Sequence, residues 1–272
     1  MNIALIGLGV MGKNHYTELK KRDINLFLHD VIKPNWLDNY DNFFISIDEL
    51  LKNKIDGVII ATPTKFHFEI FKKIYKNIKN ILIEKPLSFD MKEAYSIKEL
   101  AKDNNVCVGF CERFNPVSLM FKKLIADENI LSANFIRVSP KPERINDVGV
   151  DLDLSVHDID LASFFGLKNK FDIFKKNFPC TTIKLHSDNI EILASWDFNI
   201  KIRRALINTN VNTYELDFLN CKILKNNENI DIIKHSSLYI EHEEFINLIK
   251  TNDFNNLATI DDAIYTQEIL IN

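Results

Sequence analysis

The sequence predicts a doubly wound α/β domain with a parallel sheet, followed by an α+β domain whose sheet is open and mostly antiparallel. Three observations carry this expectation. Up to residue 110 short apolar runs alternate with longer amphipathic ones, whereas from Thr181 to Leu224 short strand-like runs follow one another across polar turns. The third is glycine: the 272 residues contain only 7, where average usage would give about 19. Three of them, Gly7, Gly9 and Gly12, stand within the first dozen residues, so a turn there needs their backbone freedom.

Taken in order, 2–6, 25–29, 57–61, 80–83 and 106–110 are short, rich in Ile, Val, Leu and Phe, and bounded by polar residues. Near-continuous apolar runs of this length suit parallel strands buried on both faces. Between them, 11–22, 64–76 and 90–104 carry apolar residues at helical spacing, with Ile70, Ile74 and Ile78 forming one stripe. Strand–helix alternation implies right-handed crossovers in a doubly wound sheet. After Asn115 a helix is expected over 116–127, a strand over 133–139, a loop with Pro140 and Pro142, and a helix over 152–165. Runs 181–186, 190–198, 202–209, 213–219 and 222–224 read as an antiparallel meander, and 243–249 and 261–271 as helices. The expected domains are 1–112 and 113–272.

Composition narrows the function. Lys and Arg number 34 against 38 Asp and Glu, a formal charge of −4, and no basic block offers a nucleic-acid surface. No run approaches the ~18 apolar residues of a membrane span, and no basic segment followed by an apolar one reads as a secretory signal. Cys107, Cys111, Cys180 and Cys221 show neither CxxC pairing nor metal spacing with histidine, so reduced thiols in the cytoplasm and no metal are expected.

The chemistry-bearing motif is Gly7-Leu8-Gly9-Val10-Met11-Gly12, between a predicted strand and a predicted helix. Gly7 permits the tight turn, Gly9 lets a pyrophosphate approach the backbone, and Gly12 lets helix pack on strand. The helix start then presents N–H groups and a positive dipole end to the phosphates. Asp30 ends the second strand, 18 residues past Gly12, where a carboxylate accepts hydrogen bonds from an adenosine ribose and repels a 2′-phosphate. The cofactor expected is therefore NAD, with Lys33 the nearby cation that could favour NADP.

Further residues have two readings. Lys85, in Glu84-Lys85-Pro86, follows an apolar run at the carboxyl end of a parallel strand. It is either a desolvated lysine suited to proton handling or a surface lysine beside a turn proline. Asp153 and His157 share one helical face at i, i+4, giving either a base with its orienting carboxylate or a helix-start acid and a half-buried histidine. Arg137, Lys141 and Arg144 gather around the proline loop, as a receiver of an anionic substrate or as a solvated basic loop.

Six motifs in order, GLGVMG, Asp30, ATPTKFH, EKP, ERFNP and GVDLDLSVHDIDL, resemble the Gfo/Idh/MocA family of NAD(P)-dependent oxidoreductases of sugars and cyclitols. The match spans about residues 1–165, with Glu243–Phe245 and Asp261–Ala263 resembling the family's C-terminal end. The resemblance implies that Lys85, Asp153 and His157 act together: His157 takes a hydroxyl proton, Asp153 orients the imidazole, and Lys85 stabilises the alkoxide. It implies cofactor contacts at Gly7, Gly9, Val10, Met11, Gly12, Asp30, Thr62, Pro63, Thr64, His67, Glu84 and Lys85, with Thr62, Pro63 and His67 at the nicotinamide end. A narrower likeness, ERFNP with RVSPKPERINDVGV, is to the branch acting on nucleotide sugars, the UDP-N-acetylglucosamine 3-dehydrogenases. That branch makes a 3-keto sugar which an aminotransferase converts for surface glycolipids. It implies substrate contacts at Arg113, Asn115, Arg137 and Arg144. The departure is a shorter sheet and C-terminal arm than the family commonly carries. The alternatives are a ketoreductase or dehydrogenase of another sugar or cyclitol, and a non-catalytic NAD-binding sensor. Apolar residues on both faces of the 181–219 strands lead us to expect a homo-oligomer, dimer or tetramer.

Overall fold

In the computed structural model the described residues are 1–38, 41–143, 148–177 and 179–271. The chain divides into two units, 1–110 with 238–264, and 111–237 with 265–272.

The first unit begins with β1 (Asn2–Ile6), α1 (Val10–Leu19) and β2 (Asn25–His29). Then come β3 (Asn42–Phe44), α2 (Ile47–Leu50), β4 (Gly57–Ile60) and α3 (His67–Ile74). β5 (Asn80–Glu84), α4 (Met91–Leu100) and β6 (Asn105–Gly109) close the run. The strands pair in parallel in the order β6-β5-β4-β1-β2-β3. β4 and β5 are buried throughout, as expected of central parallel strands with both faces covered.

The second unit carries α5 (Pro116–Leu124), capped by the Asn115 side chain accepting from Val117 N–H, then β7 (Ile130–Pro140) and α6 (Val156–Phe164). Its remaining strands are β8 (Asp172–Lys176), β9 (Thr182–His186), β10 (Ile190–Ser195) and β11 (Asp197–Thr209). Three more follow, β12 (Thr213–Asp217), β13 (Lys222–Lys225) and β14 (Glu228–Ile230). The sheet order is β14-β13-β12-β11-β7-β10-β9-β8. The expected simple meander is therefore corrected: β7 enters between β10 and β11, parallel to the former and antiparallel to the latter. β7 and β11 are the longest strands, at 11 and 13 residues, and their pairing forms the sheet's centre. Along β7 Ala133, Phe135 and Arg137 are buried while Asn134 and Ile136 are exposed, the period of two that puts one face on the core.

The expected 113–272 domain is also corrected. Helix α7 (Ser237–Thr251) and β15 (Ala258–Thr259) belong, from Leu238, to the first unit. β15 adds antiparallel to β6 and covers that edge. Gly57 lets α7 approach β4: a Cβ there would stand 2.7 Å from Ile249 Cδ1. α8 (Ile260–Ile271) ends the chain. No helix among the described residues is long and apolar enough to cross a membrane.

Candidate active site

In the first unit the glycine turn joins β1 to α1. Gly7 has φ +94°, and a Cβ on it would lie 2.6 Å from the Thr62 nitrogen. A Cβ on Gly12 would lie 1.9 Å from the Gly7 carbonyl oxygen, whereas one on Gly9 would meet nothing within 4 Å. Two glycines thus serve close packing and the third leaves one side of the turn open. Lys13 N–H, bonded to Gly9 O at 2.8 Å, makes the first bond of α1, so the N–H groups of Val10, Met11 and Gly12 belong to the unpaired first turn.

Asp30, just past β2, faces this turn. Its Oδ2 accepts from Leu8 N–H and its Oδ1 from Val31 N–H, each at 2.7 Å. The two bonds fix the carboxylate beside the glycine turn and leave lone pairs on both oxygens. Lys33 donates to the Asp38 carbonyl at 3.2 Å. These residues fit a dinucleotide: an open glycine, first-turn N–H groups and a fixed carboxylate are what a pyrophosphate and an adenosine ribose require.

The loops after β4 and β5 hold the other expected cofactor residues. Thr62 is half-buried, Pro63 exposed and Thr64 buried, and Thr62 Oγ1 has no hydrogen-bond partner among the described residues. His67, expected at the nicotinamide end, has a buried ring that pins two loops, Nδ1 facing the Pro86 carbonyl at 3.0 Å and Nε2 the Thr62 carbonyl at 2.9 Å. Burial lowers its pKa despite these carbonyls. Glu84, also expected beside the cofactor, has a buried carboxylate that bonds His15 Nε2 at 2.8 Å and accepts Lys85 N–H at 3.2 Å. Lys85 itself is half-buried, at the carboxyl end of β5, the end of a parallel sheet where ligand crevices form.

In the second unit the segment carrying Asp153 and His157 departs from a regular helix. Asp151–Ser155 is a π-helical turn that runs on into α6, a wide turn found frequently at functional sites. Local bonds hold it. Ser155 Oγ donates to the Asp151 carbonyl at 2.6 Å, Lys175 Nζ to Asp151 Oδ2 at 2.9 Å, and Val150 N–H to the Cys180 carbonyl at 2.8 Å. Gly149 packs closely there, since a Cβ would stand 2.5 Å from Asp151 Oδ1 and 3.1 Å from the Cys180 nitrogen. Asp153 and His157 are half-buried while Leu154, Ser155, Val156, Asp158, Ile159 and Asp160 are buried. Asp151 and Leu152, at the start of the turn, are half-buried as well.

Three of the four expected substrate residues are buried and paired within the second unit. Arg113 is buried and clasps Asp160 through Nε and Nη2, at 2.6–3.0 Å. Arg137, 1% exposed, clasps Asp158 at 2.8–3.0 Å and lies 3.6 Å from Glu112 Oε2. Glu112 also accepts from Arg203 at 2.7 Å. Burial opposes the Glu112 charge, but Arg137 and Arg203 outweigh it and hold the carboxyl below its ordinary value. Burial likewise opposes the Arg137 charge, and Asp158 and Glu112 outweigh it and raise its proton affinity. Burial pushes the Asp158 carboxyl up, against the opposing pull of the Arg137 clasp. Asn115 is buried, its side chain accepting from Val117 N–H and donating to the Phe218 carbonyl at 3.0 Å. These three build the core of the second unit, because the alternation of β7 and the turn before α5 point them inward. Arg144 lies outside the described residues. What the sequence did not reveal is a buried pair, His15 and His242, behind Glu84; no spacing signals residues so far apart.

Comparison with known proteins agrees with this geometry. Residues 1–110 match the GFO_IDH_MocA family, described as an oxidoreductase family with an NAD-binding Rossmann fold. The chain is 32% identical over 127 residues to a scyllo-inositol 2-dehydrogenase (NAD(+)) of Bacillus subtilis, covering 40% of this chain and 35% of that protein. It is 31% identical over 122 residues to a UDP-N-acetylglucosamine 3-dehydrogenase of Acidithiobacillus ferrooxidans, covering 44% and 38%. The chain thus spans well under two thirds of these relatives' lengths. The crystal structure of the Acidithiobacillus ferrooxidans UDP-N-acetylglucosamine 3-dehydrogenase superposes with TM-score 0.84 at 22% identity, over 100% of this chain and 95% of that one. That is a likeness of fold.

Proposed function

We propose that this chain, whose residues 1–110 match the Gfo/Idh/MocA oxidoreductase family with its NAD-binding Rossmann fold, is an NAD-dependent dehydrogenase of a secondary hydroxyl on a sugar or cyclitol. The substrate we assign is the 3-hydroxyl of UDP-N-acetylglucosamine. The observation that carries the redox reading is the open glycine turn beside a fixed Asp30 carboxylate. The substrate reading draws on the ERFNP and RVSPKPERINDVGV motifs together with the relative of that activity.

Bound NAD supplies the hydride acceptor. The first-turn N–H groups of α1 would meet its phosphates, and Asp30 would take the ribose hydroxyls. In this reading His157 accepts the substrate hydroxyl proton, Asp153 orients and stabilises the imidazolium, and Lys85 balances the charge that develops on the oxygen. The 3-keto product is of the class an aminotransferase consumes.

A second reading has its own support. Burial of Arg113 and Arg137 removes two of the cations expected to meet a diphosphate, which favours an uncharged cyclitol such as the scyllo-inositol of the Bacillus subtilis relative. One assay separates them: the rise in absorbance of reduced nicotinamide with UDP-sugars, inositols and free hexoses, run with and without an aminotransferase and glutamate to draw off the ketone. Turnover confined to inositols overturns the nucleotide-sugar assignment, and turnover of none favours a sensor.

For the oligomer, Leu131, Ile136 and Leu206 are exposed in β7 and β11 of the second sheet, apolar side chains suited to meeting a second copy. Light scattering giving a monomer mass at micromolar concentration overturns that expectation.

A further inference from the structure

Three titratable side chains lie buried in the first unit that the proposed chemistry does not use. Glu84 ends β5, His15 sits in α1 and His242 in α7, and all three are buried. His15 Nε2 meets Glu84 Oε1 at 2.8 Å, and His15 Nδ1 meets His242 Nε2 at 2.7 Å. The imidazole centroids are 5.0 Å apart, with the rings tilted by 33°.

Such a set is costly to bury. A carboxylate removed from water loses much of its solvation, and apolar residues of like volume would often be as stable or more so. The bonds of Glu84 indicate what the set does. Its second oxygen accepts the N–H of Lys85 at 3.2 Å, so the carboxylate ties the peptide that begins Lys85 to the interior. Its path is confined, because β6 pairs Gly109 with Glu84 and a Cβ on Gly109 would stand 3.0 Å from Oε1.

The direction of the bonds follows from the chemistry of the groups. An ionised carboxylate only accepts, so His15 Nε2 carries the hydrogen toward Glu84. His15 Nδ1 and His242 Nε2 then share one proton between them. Burial first, then the charges of His15 and Arg22, hold His242 well below the usual histidine range, so this ring stays neutral and braces the His15 ring from behind.

We propose that His15 and His242 are positioning residues for Lys85: the buried relay His242–His15–Glu84 fixes the carboxylate that holds the Lys85 peptide at the end of β5. Lys85 is a catalytic residue only on the dehydrogenase reading above, and the effect on turnover rests on that reading. The effect on the Lys85 backbone does not.

The test uses the whole chain and three variants, His15→Leu, His15→Gln and His242→Leu. A glutamine amide nitrogen can stand where Nε2 stands and donate to Glu84, whereas leucine cannot. In His15→Leu the Lys85 amide should exchange with solvent at least ~10-fold faster, while the Ile81 and Ile83 amides of β5 keep their wild-type protection. His15→Gln should restore the Lys85 protection, and His242→Leu should raise exchange by a smaller factor. Turnover should follow the same order, with kcat down about 10-fold in His15→Leu and the Kd for NAD⁺ from fluorescence titration within about twofold of wild type. Wild-type exchange at Lys85 in folded His15→Leu overturns the relay. If that variant does not fold, wild-type exchange in His242→Leu overturns it instead. Faster exchange in a chain that turns over no sugar leaves the relay standing and overturns the dehydrogenase reading alone.

Discussion

Arg137 separates a substrate-binding cation from a structural one, and the buried geometry gives the answer a magnitude. Its guanidinium clasps Asp158 through Nε and Nη2 at 2.8–3.0 Å and approaches Glu112, with 1% of its surface exposed. Arg137→Met removes the cation and strands the Asp158 carboxylate; Glu112 keeps Arg203 at 2.7 Å. Breaking a buried pair from one side costs about 3–5 kcal/mol, because the charge left behind has neither water nor partner. For a domain of this size that lowers the transition of the second unit by roughly 10–20 °C. Adding Asp158→Leu removes the stranded charge, and the double variant should regain most of the loss. Urea and thermal unfolding of the two single variants and the double variant close the cycle. A loss below ~1 kcal/mol in Arg137→Met, accompanied by a raised KM, would refute the structural assignment and return Arg137 to the substrate.

Gly9→Ala and Gly12→Ala should part company: the first keeps its stability and loses NAD⁺ affinity by titration, while the second, with its Cβ 1.9 Å from the Gly7 carbonyl, should unfold at lower temperature. Calorimetry should show NAD⁺ binding more tightly than NADP⁺, since Asp30 is fixed beside the turn; the reverse would implicate Lys33. His157→Asn and Lys85→Met should each cut kcat by at least ~10² with NAD⁺ affinity nearly intact, and Asp153→Asn by less; a near wild-type rate in His157→Asn would remove it as the base. His67 and His242 are held below the ordinary histidine value, mainly by burial. Below pH ~6.5 the unfolded chain therefore binds protons that the folded chain does not. Stability should fall with pH by up to about 1.4 kcal/mol per pH unit for each ring. His242→Leu should flatten that slope in urea titrations at several pH values, and an unchanged slope would count against a neutral His242.

The parallel strands and the glycine turn were legible because each is local. β1, β4 and β5 are apolar runs, and the glycine spacing needs no distant partner to be read. β8, with the sequence DIFKK and every residue exposed, carries no alternation to find. β15 has two residues and is a strand only because β6 offers an edge. The burial of Arg137 was not legible, because a charged residue in a strand reads as surface until its partner, Asp158, arrives on another element. The i, i+4 pair Asp153 and His157 was visible, but the π-helical turn beneath it depends on Gly149 and Lys175, whose part shows only in three dimensions.

The return of 238–264 to the first unit bears on how the chain folds as it is made. The first 110 residues supply six paired strands, yet Gly57 awaits Phe245 and Ile249, and His15 awaits His242, a separation of 227 residues. Closing a loop of that length costs chain entropy before any contact compensates. A nascent chain therefore carries an incomplete nucleotide-binding half, with Gly57, the β6 edge and an imidazole uncovered, through synthesis of the whole second sheet. Cutting the gene after 237 should accordingly yield an aggregation-prone fragment rather than a freestanding cofactor module. Supplying 238–264 directly after residue 110 through a short flexible linker is the rearrangement that should let this half fold alone.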